Sequence, residues 1–195
     1  MAIFITLAAA GGLAAAWLMG SFLPNFLLYA TPPLKADAVV LLLGPDEDAR
    51  RSKAEELIAL GWAKYLIVPY EGRIVETQVS GSPVTPRKTA TIARGIRTDR
   101  NRVYVERTHI EMLQTRALMA HIGGTRAIFV SSPYHMRRVN IMARRVFDPE
   151  IHEMAYVPTA NDPPHTPWFL SWRDIRWVSA EWGKILWFLA YAPFV

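Results

Sequence analysis

The chain has no cysteine. That excludes disulfides and thiolate metal sites, and it fits either side of a membrane. There is no charged side chain before Lys35. Glycine-rich phosphate loops of the GxxxxGK[ST] and GxGxxG types are absent, as is a GxSxG nucleophile turn. No HxxxH or HExxH pair occurs, so a metal would need His109, His135, Glu106 and Asp46 to converge from distant places, and the spacing predicts no metal site. Base-stacking aromatic motifs and zinc fingers are missing too. The net charge of +5 is spread among acids and bases, which argues against dedicated nucleic-acid binding and for mild attraction to anionic lipid or phosphorylated ligands.

Three segments of different character remain. Residues 3–23 are almost wholly apolar. A membrane-spanning helix needs about 20 such residues, and a cleaved signal peptide would begin with Lys or Arg. The segment therefore reads as an uncleaved anchor, with residues 1–34 forming anchor and linker. Ala8, Gly12, Ala16 and Gly20 recur every fourth residue, a small-residue stripe that would allow self-association in lipid. Residues 35–160 suffice for one domain with a core. Residues 161–195 begin with a Pro-rich loop and hold five of the seven tryptophans. This aromatic segment reads either as an amphipathic helix at the membrane interface or as a terminal helix packed on the sheet.

The middle segment alternates apolar runs with helical patterns. Strands are expected at Ala38–Leu43, Tyr65–Val68, Arg102–Val105, Arg126–Val130 and Ala155–Val157. Helices are expected at Glu47–Leu60, Arg87–Arg97, Ile110–Ile122 and Tyr134–Phe147, with Glu71–Pro86 irregular. This pattern predicts an α/β fold with a mainly parallel sheet and helices on both faces.

In such folds ligands sit at strand ends. The richest is Ser131–Arg138, SSPYHMRR, where a strand turns into a helix. Free backbone N–H groups there attract anions, and Tyr134, His135, Arg137 and Arg138 add a proton carrier and cations. His135 also shares a helix face with Val139, Met142 and Val146, so it equally fits the head of a packing stripe. Arg137, Arg144 and Arg145 read as solvated. After the first strand come Gly44, Asp46 and Arg50, where Asp46 fits a helix cap as well as a ligand contact. After the third come Glu106, Thr108, His109 and Glu111. Thr108 and Glu111 fit a T-x-x-E capping box; Glu106 and His135 are left as an acid/base pair. The ligand-binding set is Gly44, Asp46, Arg50, Thr108, His109, Glu111, Ser131, Ser132, Tyr134 and Arg138.

At Ala36–Gly44, at Arg50 and Arg51, at Val103–Thr115 and above all at Phe129–Arg138 the chain resembles the ElyC/SanA/YdcF family, over roughly residues 36–158. The departures are Pro45-Asp46 for a Gly-rich turn, Pro69-Tyr70-Glu71-Gly72 for Ser-Gly-Gly, and Ile110-Glu111 for Asn-Thr. The resemblance implies a Rossmann-like three-layer domain and a role in cell-envelope biogenesis through peptidoglycan or lipid-carrier metabolism. It also implies S-adenosylmethionine as a cofactor of one branch; a ligand of that kind calls for an acid on its ribose, and Asp46 or Glu71 could serve. The expected protein is a single-pass protein of the cytoplasmic membrane with its domain on the outer face. It would bind a phosphate-bearing ligand through Arg138 and the Ser131/Ser132 turn, as a hydrolase or transferase. The alternatives are a nucleotide-like ligand binder and a non-catalytic membrane scaffold.

Overall fold

The computed structural model describes residues 4, 11, 12, 17, 20–77, 86–91, 104–160 and 168–195. Its centre is a six-stranded sheet: β1 (Ala38–Leu41), β2 (Tyr65–Val68), β3 (Arg73–Thr77), β4 (Pro86–Thr91), β5 (Arg126–Ser131) and β6 (Glu153–Pro158). The strand order is β4-β3-β2-β1-β5-β6. β2, β1, β5 and β6 pair in parallel, while β3 and β4 add antiparallel at one edge.

The apolar runs become central strands because both faces are covered. On β1, Val39 and Leu41 face Ala54, Leu57 and Ile58 of α1 (Glu47–Ala59). Ala38 and Val40 join the other core, with Met112 and Met119 of α2 (Arg107–Ile122), Val139 and Met142 of α3 (Met136–Val146), and Phe188 of α4 (Trp172–Tyr191). The result is three layers, with α1 on one face and the other three helices opposite.

Three expected elements differ. The stretch read as irregular contains β3, formed because Gly72 (φ 61°) closes a tight reversal and lays Arg73–Thr77 back along β2. The expected helix at Arg87–Arg97 is strand β4 over its described part; the polar sequence carries no apolar period, and pairing with β3 decides it. Tyr104 and Val105 lie in a turn, not a strand, and β1 neighbours β5 directly. Arg102 and Val103 lie outside the described residues.

Residues 20–27 are helical. Most of the expected spanning segment lies outside the described residues, and among the described residues no helix is long and apolar enough to cross a membrane. Leu27 is fully buried with Tyr134, Val178 and Ile185, Trp182 Nε1 donates to the Leu23 carbonyl at 3.1 Å, and Thr31 pairs with Tyr156. Residues 20–34 thus pack on the domain. Of the small-residue stripe, Ala8 and Ala16 lie outside the described residues. Gly20 is covered by Phe169 of its own chain, whose ring would lie 2.6 Å from an added Cβ, so that position is closed to a second chain.

Candidate functional site

Chain connections leave β1 toward β2 on one side and β5 toward β6 on the other, so the topological switch point lies between β1 and β5. Ligand crevices in open α/β sheets form at that place. A cleft of about 380 Å³ opens there, walled by the turn after β1, the start of α2, the turn after β5 and one side of α4. Of the residues expected at the site, Gly44, Arg50, Glu106, Thr108, Glu111, Ser131, His135 and Arg138 line it. Asp46, His109, Ser132 and Tyr134 do not.

Arg138 is the hub. The α3 packing stripe turns it inward, and it is 5 % exposed. Its Nε donates to Glu181 Oε2 at 2.6 Å, and its Nη1 donates to Glu106 Oε1 at 3.0 Å and to the Thr108 hydroxyl. Burial pulls its pKa down, but the charges of Glu181 and Glu106 outweigh burial and hold it above the ordinary value. Two carboxylates already satisfy this guanidinium, so it orders the site and is not a phosphate receptor in waiting. The expected acid/base partners, Glu106 and His135, meet on Arg138 from opposite sides.

His135 Nδ1 lies 3.0 Å from Glu181 Oε1 and 3.1 Å from Arg138 Nη2. With its proton on Nδ1 the ring donates to Glu181, a carboxylate that also accepts from Arg138 and Lys184. Burial lowers the pKa of His135 despite Glu181, which favours the neutral ring. Burial opposes ionisation of Glu181, but the hydrogen bond from His135 and the charge of Arg138 override it, and its pKa falls far below the carboxylate range. Sequence reading missed Glu181, which orders the site through Arg138 and His135, and the cleft-lining Arg107 and Lys184. The signal for Glu181 was its place on the inward stripe Val178, Glu181, Ile185 and Phe188 of α4, where a charge demands a partner.

The expected capping box is absent. Glu106 is itself the N-cap of α2, accepting from the Thr108 N–H at 2.6 Å. Thr108 turns its hydroxyl to Arg138 instead. Glu111, freed from capping, is 5 % exposed and faces the cleft. Burial pushes its carboxyl up to about 7; Arg107 and Arg138 oppose that shift only in part. A buried carboxyl near neutrality can give and take a proton.

A second polar cluster lies behind the wall. The Ser132 hydroxyl accepts from Arg50 Nε at 3.1 Å and Nη2 at 2.8 Å and donates to Asp46 at 2.7 Å. Asp46 also accepts from Tyr134 at 3.1 Å and does not cap α1 through its side chain. Arg50 Nη1 donates to the Leu42 carbonyl at 2.9 Å. This network pins the two strand-end turns to each other, and it commits the Ser132 hydroxyl expected at a phosphate. The acids expected on a ribose are engaged as well, because Glu71 pairs with Arg73 at 2.9 Å. His109 is buried against Tyr191 and Phe188 as a core histidine. Arg137, expected in solvent, donates to the Phe26 carbonyl at 2.7 Å and covers the Phe26 and Tyr29 rings.

Gly44 admits Arg50: a Cβ there would lie 2.7 Å from the guanidinium carbon. Gly44→Ala is expected to cost about 1–3 kcal/mol, the usual range for overpacking. Urea unfolding of the wild type and the variant checks this, and an unchanged midpoint would show that the turn yields.

The mouth carries the cations with exposed reach. Arg107 is exposed over the Tyr70 ring, and Lys184 pairs with Glu181 at 2.9 Å with its side chain 43 % exposed. Comparison with protein-family models, curated proteins and solved structures finds no match to this chain.

Proposed function

We propose that this chain is a membrane-anchored member of the ElyC/SanA/YdcF family that acts in cell-envelope biogenesis. Its switch-point cleft binds a phosphate-bearing ligand, a lipid carrier or peptidoglycan precursor, and works on it by acid–base chemistry as a hydrolase or transferase. The carrying observation is the buried Glu111 carboxyl in a cleft rimmed by Arg107 and Lys184. In this reading the rim cations attract the phosphate, Glu111 and the neutral His135 move protons, and Arg138 holds Glu106, Glu181 and His135 in place. The anchor reading rests on residues 3–23, with the domain on the outer face of the cytoplasmic membrane.

Thermal unfolding of the full chain in detergent, with polyprenyl phosphate or S-adenosylmethionine added, tests it. A ligand present at 100 times its Kd stabilises by about 2.7 kcal/mol. The lipid phosphate is expected to raise Tm with concentration, and Arg107→Gln with Lys184→Gln to abolish the rise, read against the variant's own ligand-free Tm. A shift with S-adenosylmethionine alone, or a shift indifferent to both substitutions, would overturn the phosphate reading.

A further inference from the structure

α4 carries only two acids, Asp174 and Glu181, and each is 1 % exposed. Its outward face has no negative charge. It presents Trp172 (72 % exposed), Leu186 (59 %), Trp187 (50 %) and Leu189 (54 %), with Arg173 and Arg176 exposed alongside. Water alone is a poor neighbour for a helix face of this make-up, because large exposed apolar side chains grouped on one element mark a contact site.

We propose that the outward face of α4 lies on an anionic lipid surface. Three observations favour lipid over a protein partner. The charges on the face are of one sign, and it is the sign that anionic headgroups attract. Tryptophan and leucine bordered by arginine is the side-chain set of helices that lie in the interface plane. The apolar N-terminal segment also meets the chain at the start of α4: the Phe169 ring, just before α4, packs over Gly20, and Leu170 (77 % exposed) and Phe22 (60 %) are exposed apolar residues of the two segments. The inference rests on the membrane-anchored reading and adds a second contact to it. Since Lys184 of α4 lines the cleft, the membrane-bound helix would also form part of the cleft wall.

The lack of cysteine makes the test clean, because a single introduced thiol is the only labelling site. Full chain bearing Leu186→Cys, Leu189→Cys or, as control, Glu55→Cys on the exposed side of α1 is spin-labelled. It is then placed in nanodiscs of phosphatidylcholine with or without phosphatidylglycerol. In the anionic discs, labels at 186 and 189 are expected to meet oxygen more readily than a water-soluble nickel chelate, and the label at 55 the reverse. Arg173→Gln with Arg176→Gln is expected to move labels 186 and 189 toward the aqueous value. Water-like labels at 186 and 189 in a disc-bound chain would overturn the docking proposal and leave the anchor standing. Immobilised labels together with a dimer mass in detergent would assign the face to a second protein chain and overturn it. A chain that does not enter the discs would overturn the anchor as well.

Discussion

Replacing Arg138 with methionine is expected to cost the fold about 3–5 kcal/mol, the range for removing one partner of a buried ion pair. The loss is not of attraction alone. Glu181 is 1 % exposed and would keep only Lys184 and His135 as donors, while Glu106 would lose its bond to the Arg138 guanidinium. A buried carboxylate without a matching charge must either protonate or draw in water. Methionine fills similar volume, so packing changes little. The expected urea midpoint therefore falls steeply, and Glu181→Gln in the same chain restores part of it by removing the stranded charge. If Arg138→Met alone unfolds at the wild-type midpoint, the hub does not order the site. If the double variant is no better than the single one, the cost lies in packing and not in charge.

Glu111→Gln is expected to erase a pH dependence of stability. The carboxyl moves from an ordinary 4.5 to about 7 on folding. Between those values the folded chain binds more protons than the unfolded one, so stability falls as pH rises through the window. At 1.36 kcal/mol per unit the loss attributable to this group is about 3 kcal/mol. His135 acts with the opposite sign: its pKa is lowered by burial, so its contribution is full above the unfolded value and is lost as pH falls. The difference between wild type and Glu111→Gln isolates the glutamate. That difference should be small at pH 4 and favour the variant at pH 8, measured by chemical unfolding at each pH. A difference that stays constant with pH would show that Glu111 is an ordinary surface-like acid. Under the acid–base reading, the same substitution also lowers turnover by about 10²–10⁴, while Gly44→Ala acts on the turn and on stability.

The outcomes for particular residues show where sequence reading reached and where it stopped. The inward set Ala54, Leu57 and Ile58 on α1 and the stripe Val139, Met142 and Val146 on α3 are legible from helical period. The apolar runs of β1, β2 and β5 are legible from burial on both faces. That ligands sit at strand ends follows from the α/β pattern, and with it came eight of the sixteen described residues that line the cleft. Thr108 and Glu111 misled because a T-x-x-E pattern reads as a local cap, whereas Glu106 took the cap and left Glu111 to the cleft. The strands β3 and β4 were missed because their hydrogen bonds come from each other and from β2, not from any period in their own residues.

What the sequence by itself determined is the part that local chemistry dictates: a layered α/β domain, an apolar leading segment, an aromatic tail, and polar turns at the ends of β1 and β5. Only the tertiary structure decided the charge logic of the site. Glu106, His135, Arg138 and Glu181 come from three elements separated along the chain, and their meeting depends on how α2, α3 and α4 pack on one face of the sheet. The physical reason is that desolvation and Coulomb energy depend on what lies within a few ångströms in space. Sequence spacing reports that neighbourhood along one helix or strand, and not across the packed layers that bury Glu111 and bring Glu181 to Arg138.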